Sequence, residues 1–210
     1  MYFTHPAMSV CMSTFARYLV RLENSSHAEV GQYGVVRAHY RDILARHGCT
    51  INSARISSFA VEVDFFSKEA KSAEEGVRAL SSEGKVLSIT DLMAEEIPAG
   101  KQETLEQARL LFNQERFWEV HEKVEGVWRA AAGEEKAVQQ SIILYASALV
   151  HYQKNETETT LRMLRRALEK MKWPKDSYYS FDLAMMRREA ESMLANGRVH
   201  IFRLRSSAHP

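Results

Sequence analysis

The sequence contains very little cysteine, and this scarcity excludes several classes of protein. Only two cysteines, Cys11 and Cys49, occur among its 210 residues. Their number and spacing provide neither a disulfide framework nor a cysteine-rich metal site. Reduced thiols are typical of proteins that stay in the cytoplasm, so we expect a cytoplasmic location.

Long apolar runs and a strong net charge of either sign are also missing. The longest apolar stretch, near residues 142–150, is interrupted by Ser147 and is too short to span a bilayer. The N-terminus shows no basic start followed by an apolar stretch, so we predict no signal peptide and no membrane association. Lysine and arginine number 28 against 27 for aspartate and glutamate, a balance that does not favour nucleic acid as a partner.

The sequence does contain ordinary globular material, arranged in two halves with different periodicities. Hydrophobic residues make up 45% of the chain and charged residues 26%, as in folded domains. The first half alternates strand and helix patterns, whereas the second half is helical throughout. We therefore predict an α+β protein with two domains and a tail, namely an α+β module at residues 13–92, an antiparallel all-α helical domain at residues 102–197 and a basic tail at residues 198–210.

The first half shows the pattern of a small sheet with two helices. Arg17 and Arg21 alternate with apolar side chains in the first predicted strand, which gives a period of two. Two capping boxes, Ser26 with Glu29 and Ser72 with Glu75, predict where the helices begin. The strands are predicted at residues 15–22, 50–56, 59–66 and 85–90. The resulting order β-α-β-β-α-β predicts a ferredoxin-like module, a fold that identifies no function by itself.

A linker at residues 91–103, which contains Pro98 and Gly100 among acidic residues, precedes the helical half. Asn155 with Glu158 predicts the cap of the fourth helix in this half, and Gly197 predicts the end of the fifth. The basic tail is predicted either to pair with a sheet edge or to stay loose. The five helices are predicted at residues 103–113, 115–131, 135–153, 156–172 and 180–196.

The candidate functional residues centre on the second helix of the helical half. His121 falls within its apolar stripe, and Glu125 follows one turn later on the same side. Because polar side chains on a core-facing surface cost free energy unless they are paired, we predict a buried polar cluster centred on these two. Small residues at 146–148 of the next helix would leave room for a ligand. The predicted pocket consists of Trp118, His121, Glu122, Glu125, Trp128, Arg129, Gln140, Tyr145 and His151.

The same stretch also carries a pattern of residues that resembles a known family. The pattern consists of Phe112-Asn113, Phe117-Trp118, Glu119, His121-Glu122, Glu125, Trp128-Arg129, the run from Gln140 to Ile143, the run from Ala146 to Ala148, His151 and Asn155. Over about residues 111–173 these motifs resemble the family catalogued as domain of unknown function 309. The resemblance implies a small all-α domain without a settled activity. Where the family has glycine and glutamine, this chain carries Ser141 and Leu144.

The residues leave several functions open. We favour non-catalytic binding of a small ligand or a protein partner in the predicted pocket, and such binding could be regulatory. A purely structural hydrogen-bond network would use the same residues. The alternative is a metal-dependent hydrolase, in which His121, Glu125 and His151 would bind the metal and Glu122 would act as general base. Zinc peptidases have histidine where this chain has Glu125, so we expect no bound metal and no cofactor. The sequence leaves open whether the protein is an enzyme.

The second alternative is an RNA-associated factor that uses the basic fourth helix and the tail. Arg162, Arg165, Arg166, Lys170 and Lys172 form the basic face of that helix. Such a face is more often the solvated side of an amphipathic helix. The sequence is compatible with a homo-oligomer and identifies neither the ligand nor the partner.

Overall fold

The computed structural model describes residues 15–94, 99–171 and 174–205 and confirms an α+β protein. Its first half contains four strands, two helices and a 3₁₀ turn at Val30–Gln32. In chain order the main elements are β1 (Ala16–Glu23), α1 (Tyr33–Ala45), β2 (Thr50–Ile56), β3 (Ala60–Ser67), α2 (Ala70–Ser81) and β4 (Val86–Asp91). The second half contains α3 (Lys101–Asn113), α4 (Phe117–Trp128), α5 (Gly133–Tyr152), α6 (Thr157–Lys170), β5 (Ser177–Tyr178), β6 (Phe181–Asp182) and α7 (Leu183–Asn196).

The first four strands form one antiparallel sheet in the order β2-β3-β1-β4. Each of the two helices therefore connects strands that are separated by one antiparallel neighbour. The predicted order of elements, β-α-β-β-α-β, is confirmed. The apolar residues of the central strands pair across the sheet, as Val20 does with Val63 and Tyr18 with Phe65. They pack against α1 and α2 in a core that includes Leu44 and Leu80.

Helix α2 lies very close to the sheet because Gly76 has no side chain. A Cβ atom at this position would lie 2.9 Å from both Cys49 Sγ and a ring carbon of Phe65. Cys49 is buried in this contact, and its pKa is raised by burial. Its location fits a structural thiol better than a reactive one. The other cysteine, Cys11, lies outside the described residues.

The helical half has its own hydrophobic core, and aromatic rings occupy its centre. Phe112 contacts Phe117 and Phe202 with ring centroids 5.2 and 5.4 Å apart. Tyr145 is fully buried beside them and contacts Phe202. Because Phe202 belongs to the C-terminal tail, this core joins the tail to helices α3, α4 and α5.

The tail therefore differs from both sequence predictions, since its described part neither forms a strand nor stays loose. Asn113 donates its side-chain Nδ2 to the Leu204 carbonyl and accepts from the Leu204 amide, at 2.9 and 2.8 Å. Leu204 itself is buried in the helical core. The side chain of Asn113 thus satisfies both backbone polar groups of the buried Leu204.

Several predicted helix boundaries are also corrected. The capping box before the first helix joins Glu29 to Gln32 rather than Ser26 to Glu29, and it begins the 3₁₀ turn that precedes α1. Ser72 lies inside α2, which begins at Ala70 without a side-chain cap. Asn155 adopts a left-handed conformation with φ of +61° and does not cap α6. The predicted end at Gly197 is confirmed, with φ of +64° after α7.

The two halves meet across the polar face of the sheet. The Ile56 amide at the end of β2 donates to the Gln153 carbonyl after α5, at 3.1 Å. The Ser58 amide donates to the Glu115 carboxylate, which also accepts from the Ser58 hydroxyl. Charged side chains of the sheet are consequently removed from water by the helical half.

None of the helices within the described residues has the length and apolar character needed to cross a membrane.

Candidate functional site

Helix α4 carries the candidate site, and its burial differs from the prediction. Phe117, Val120 and Val124 are completely buried against the helical core. His121 and Glu125 each follow a buried valine by one residue, which turns them about 100° around the helix axis. Their side chains remain 28% and 33% exposed. The predicted buried cluster is therefore wrong, because these residues lie at the edge of the apolar stripe.

His121, Glu122 and Glu125 nevertheless come together at the surface, and we refer to them as the α4 trio. His121 Nδ1 lies 3.1 Å from Glu122 Oε1 and 3.9 Å from Glu125 Oε2. One nitrogen or oxygen atom from each residue lies within 4.8 Å of the others. Three potential ligand atoms are thus gathered on one turn of helix and remain accessible to solvent.

Two arginines lie near the α4 trio and differ in how firmly they are held. Arg129 Nη2 donates to Glu125 at 3.2 Å, but its own side chain is 72% exposed. Arg17 of β1 is bound through two nitrogens to Asp64, and its charge also acts on Glu122. The pKa of Glu122 is lowered, first by the hydrogen bond with His121 and then by the nearby cations, so this carboxylate is ionised at neutral pH.

The remaining predicted pocket residues are not gathered around the α4 trio. His151 Nδ1 lies 2.5 Å from Glu156 Oε2, so it pairs with the start of the next helix. Tyr145 is enclosed in the aromatic core, where burial raises its pKa. Gln140 is half-buried, whereas the adjacent Gln139 is fully buried and donates to the Tyr178 hydroxyl at 2.7 Å. Gln139 was not among the residues predicted from the sequence.

The two predicted tryptophans, Trp118 and Trp128, are partly buried at the rim of the core. The guanidinium carbon of Arg55 lies 5.4 Å from the centre of the Trp118 ring. Lys136 Nζ lies 4.4 Å from the Trp128 ring centre. Each ring therefore already has a cation against its face, an arrangement that supports packing rather than nucleotide stacking.

The composition of the α4 trio bears on metal chemistry. An imidazole nitrogen and two carboxylate oxygens can act as zinc or manganese ligands, and a three-ligand site leaves positions for water. The ligand set differs from the predicted one, because Glu122 is included and His151 is not. Glu122 is also poorly suited to act as general base, since a base works best with a pKa near the working pH and its pKa moves the other way.

A network of buried charges on the sheet was not identified as a site from the sequence. Glu62 accepts from Arg21 Nε at 3.1 Å and from Arg55 Nε at 2.8 Å. Asp64 accepts from Arg17 at 2.9 and 2.7 Å. The sequence did contain an indication of this network. Charged residues of opposite sign alternate with apolar ones on neighbouring predicted strands, which places these arginines and carboxylates on one face of the sheet.

The basic face predicted on the fourth helix of the helical half lies on α6. Arg162, Arg165, Arg166 and Lys170 are exposed, with Leu164 and Ala167 buried beneath them. Lys172 lies outside the described residues. This is the exposure expected of a solvated helix face, and RNA binding stays a prediction.

Comparison with protein families matches residues 105–163 to the family described as Domain of unknown function (DUF309). The match confirms the resemblance found in the sequence, and it runs from α3 into α6 and includes the whole α4 trio. No curated protein matches the chain. The sheet and the C-terminal tail lie outside the matched residues.

Proposed function

We propose that this protein is a non-catalytic binding protein and that the α4 trio recognises a positively charged group of a small ligand or partner. One observation carries the proposal, namely that an imidazole and two carboxylates gather their polar atoms within 4.8 Å on a surface that stays open to solvent. Residues arranged only for packing have no need of this exposure, because the apolar side of α4 already provides the packing.

The charges of the α4 trio favour a cation. Glu122 and Glu125 provide two carboxylates, and the lowered pKa of Glu122 keeps it ionised. Arg129 is the partner that a ligand would displace, because its ion pair with Glu125 is exposed and such pairs contribute little free energy. Arg17 is held by Asp64 and would stay in place. An ammonium or guanidinium group can donate to both carboxylates at once.

The same three residues also favour a rival function, that of a metal-dependent hydrolase, because their nitrogen and oxygen atoms could bind a metal. A divalent metal would satisfy the three residues as well as an organic cation would. The direction of the Glu122 pKa supports the non-catalytic proposal, because an ionised carboxylate with a low pKa is a weak base.

Calorimetric titration tests the proposal with methylguanidinium, methylammonium, Zn²⁺ and Mn²⁺ as separate probes. We expect saturable binding of at least one organic cation, and a loss of about tenfold or more in affinity in Glu122→Gln and Glu125→Gln. Glu134→Gln is the matched control, because Glu134 is an exposed carboxylate in the first turn of α5. Equal affinities in all of these proteins, or no binding, would contradict the proposal.

A further variant separates recognition of a cation from a structural role. Arg129→Ala removes the exposed competitor from Glu125, so we expect it to strengthen binding of the organic cations. A purely structural role predicts no gain in affinity. Tight, stoichiometric Zn²⁺ or Mn²⁺ binding that His121→Ala abolishes, without binding of the organic cations, would favour the hydrolase instead.

A further inference from the structure

A second candidate site lies in a cleft between the sheet, the junction of α3 and α4, and the C-terminal tail. The cleft has a volume of about 340 Å³ and is lined by Arg21, Phe59, Asn113, Gln114 and Arg203. This volume lies within the range of sites that hold small ligands. Among the described residues, the lining combines two arginines and two amides with one aromatic ring and contains no carboxylate.

Arg21 brings a buried cation to the floor of the cleft. Its residue is 8% exposed, and its Nε donates to Glu62 at 3.1 Å. Its two terminal nitrogens make no hydrogen bond within the described chain. The second oxygen of Glu62 accepts from Arg55, so one carboxylate serves two guanidinium groups. Arg21 therefore has unused donors in the lining of the cleft.

The polar face of the sheet carries more positive than negative charge. Three arginines, Arg17, Arg21 and Arg55, share two carboxylates, Glu62 and Asp64. Arg55 Nη2 is also buried without a hydrogen-bond partner among the described residues. Because a buried charge without a counter-ion is costly, this face is electrostatically prepared for an additional anion.

The helical half does not supply that anion to the cleft. Glu115, which follows Gln114, is turned to the amide and hydroxyl of Ser58. Glu122 lies near the middle of α4, where it is bonded to His121, and it does not line the cleft. Lys154 adds a further cation on the Arg55 side, where burial and Arg55 lower its pKa.

The tail brings a second cation to the cleft. The two hydrogen bonds between Asn113 and Leu204 fix this part of the tail. The neighbouring Arg203 lies above Phe59, with its guanidinium carbon 5.7 Å from the ring centre. Arg203 is exposed and makes no ion pair in the part of the chain that the structure describes. The Gln114 side-chain oxygen accepts from Arg116 at 3.4 Å, and its amide nitrogen donates to no described residue, so these donors are available to a ligand.

We infer that this cleft binds an oxyanion group, a carboxylate or a phosphate, carried on a small apolar body. Arg21 and Arg203 would hold the oxygens from the floor and from the rim, with a further donor from Gln114. Planar guanidinium groups match both kinds of oxyanion. The apolar body would pack on the exposed part of Phe59. This site is separate from the α4 trio and takes a ligand of opposite charge, so either proposal can fail alone.

Titration of the full-length protein with four probes of similar shape tests the inference. Phenyl phosphate and benzoate are the anionic probes, and they show which oxyanion is preferred. Benzylammonium and benzyl alcohol are the cationic and neutral comparisons. We expect saturable binding of one or both anions, weaker at high salt, and little binding of the other two at the cleft.

Arg203→Gln is the decisive variant, because Arg203 is exposed and its loss leaves the fold intact. We expect it to weaken anion binding by about tenfold or more, whereas Arg205→Gln, an exposed arginine of the same tail outside the cleft, leaves binding unchanged. Phe59→Ala should weaken binding of phenyl phosphate more than that of inorganic phosphate. Unchanged anion affinity in Arg203→Gln, or no anion binding to the wild-type protein, would overturn the inference.

Discussion

Single residues decide how charge is balanced on the polar face of the sheet, and Glu62 shows this clearly. It is 2% exposed and lies between Arg21 and Arg55 on the polar face of the sheet. Neither arginine has another carboxylate partner within the described residues. The sequence placed these charges on one face, but it did not show that a second layer covers that face, because the strand period carries no information about the partner layer.

Replacing Glu62 with alanine should strongly destabilise the protein, because the change leaves two buried guanidinium groups without their counter-ion. We expect a loss of about 3–5 kcal/mol in the free energy of unfolding, measured by urea denaturation. Glu23→Ala is the control, since Glu23 pairs with Lys85 in solvent and should cost less than about 1 kcal/mol. Similar small losses for both variants would show that the buried network contributes little to stability.

At the scale of elements, most helices and strands were predictable from periodicity, but the burial of α4 was not. The apolar spacing predicts an inward-facing side made of Phe117, Val120, Val124, Val127 and Trp128. The first three are fully buried, whereas the last two are only partly buried. Consecutive residues of a helix are rotated by about 100° about its axis, so the residue next to a buried one can already be exposed. The spacing of apolar residues does not show at which residue the buried side of the helix ends. His121 and Glu125 were therefore assigned to the core although they lie at its border.

A pair of neighbouring variants tests this description of α4. Val124→Ala should cost about 2 kcal/mol of unfolding free energy, because it removes apolar groups from a fully buried position. Glu125→Ala should cost less than about 1 kcal/mol, because its ion pairs with Arg129 and His121 are partly exposed. Urea unfolding of the two proteins provides the comparison. A larger loss for Glu125→Ala than for Val124→Ala would indicate that the trio is a stability element.

At the scale of the whole molecule, the two hydrophobic cores lie on either side of a polar interface. The change of period in the sequence predicted separate cores, and the buried residues do form one cluster in each half. The interface itself was not predictable, because its components are far apart in sequence. Hydrogen bonds such as those from Ile56 to Gln153 and from Ser58 to Glu115 depend on tertiary arrangement, which local patterns do not encode.

The charged sheet face should couple the two halves during unfolding, because separation would expose its ion pairs and apolar residues such as Leu19 to water. All three tryptophans, Trp118, Trp128 and Trp173, lie in the second half, so their fluorescence follows that half and, through the contact of Trp118 with Arg55, its interface with the sheet. Hydrogen exchange of the β1 and β3 amides follows the sheet. We expect the two probes to give the same urea midpoint. Clearly separated midpoints would show that the halves unfold independently.

Nuclear magnetic resonance is the most direct test of whether the α4 trio serves recognition of a cation. Backbone amide spectra of the full-length protein should be recorded during titration with methylguanidinium, beside a variant that carries both Glu122→Gln and Glu125→Gln. Binding at the trio predicts saturable shifts centred on residues 118–129 in the wild-type protein and their absence in the variant. Shifts centred elsewhere, shifts that persist in the variant, or a wild-type spectrum that does not change would contradict a cation site on α4.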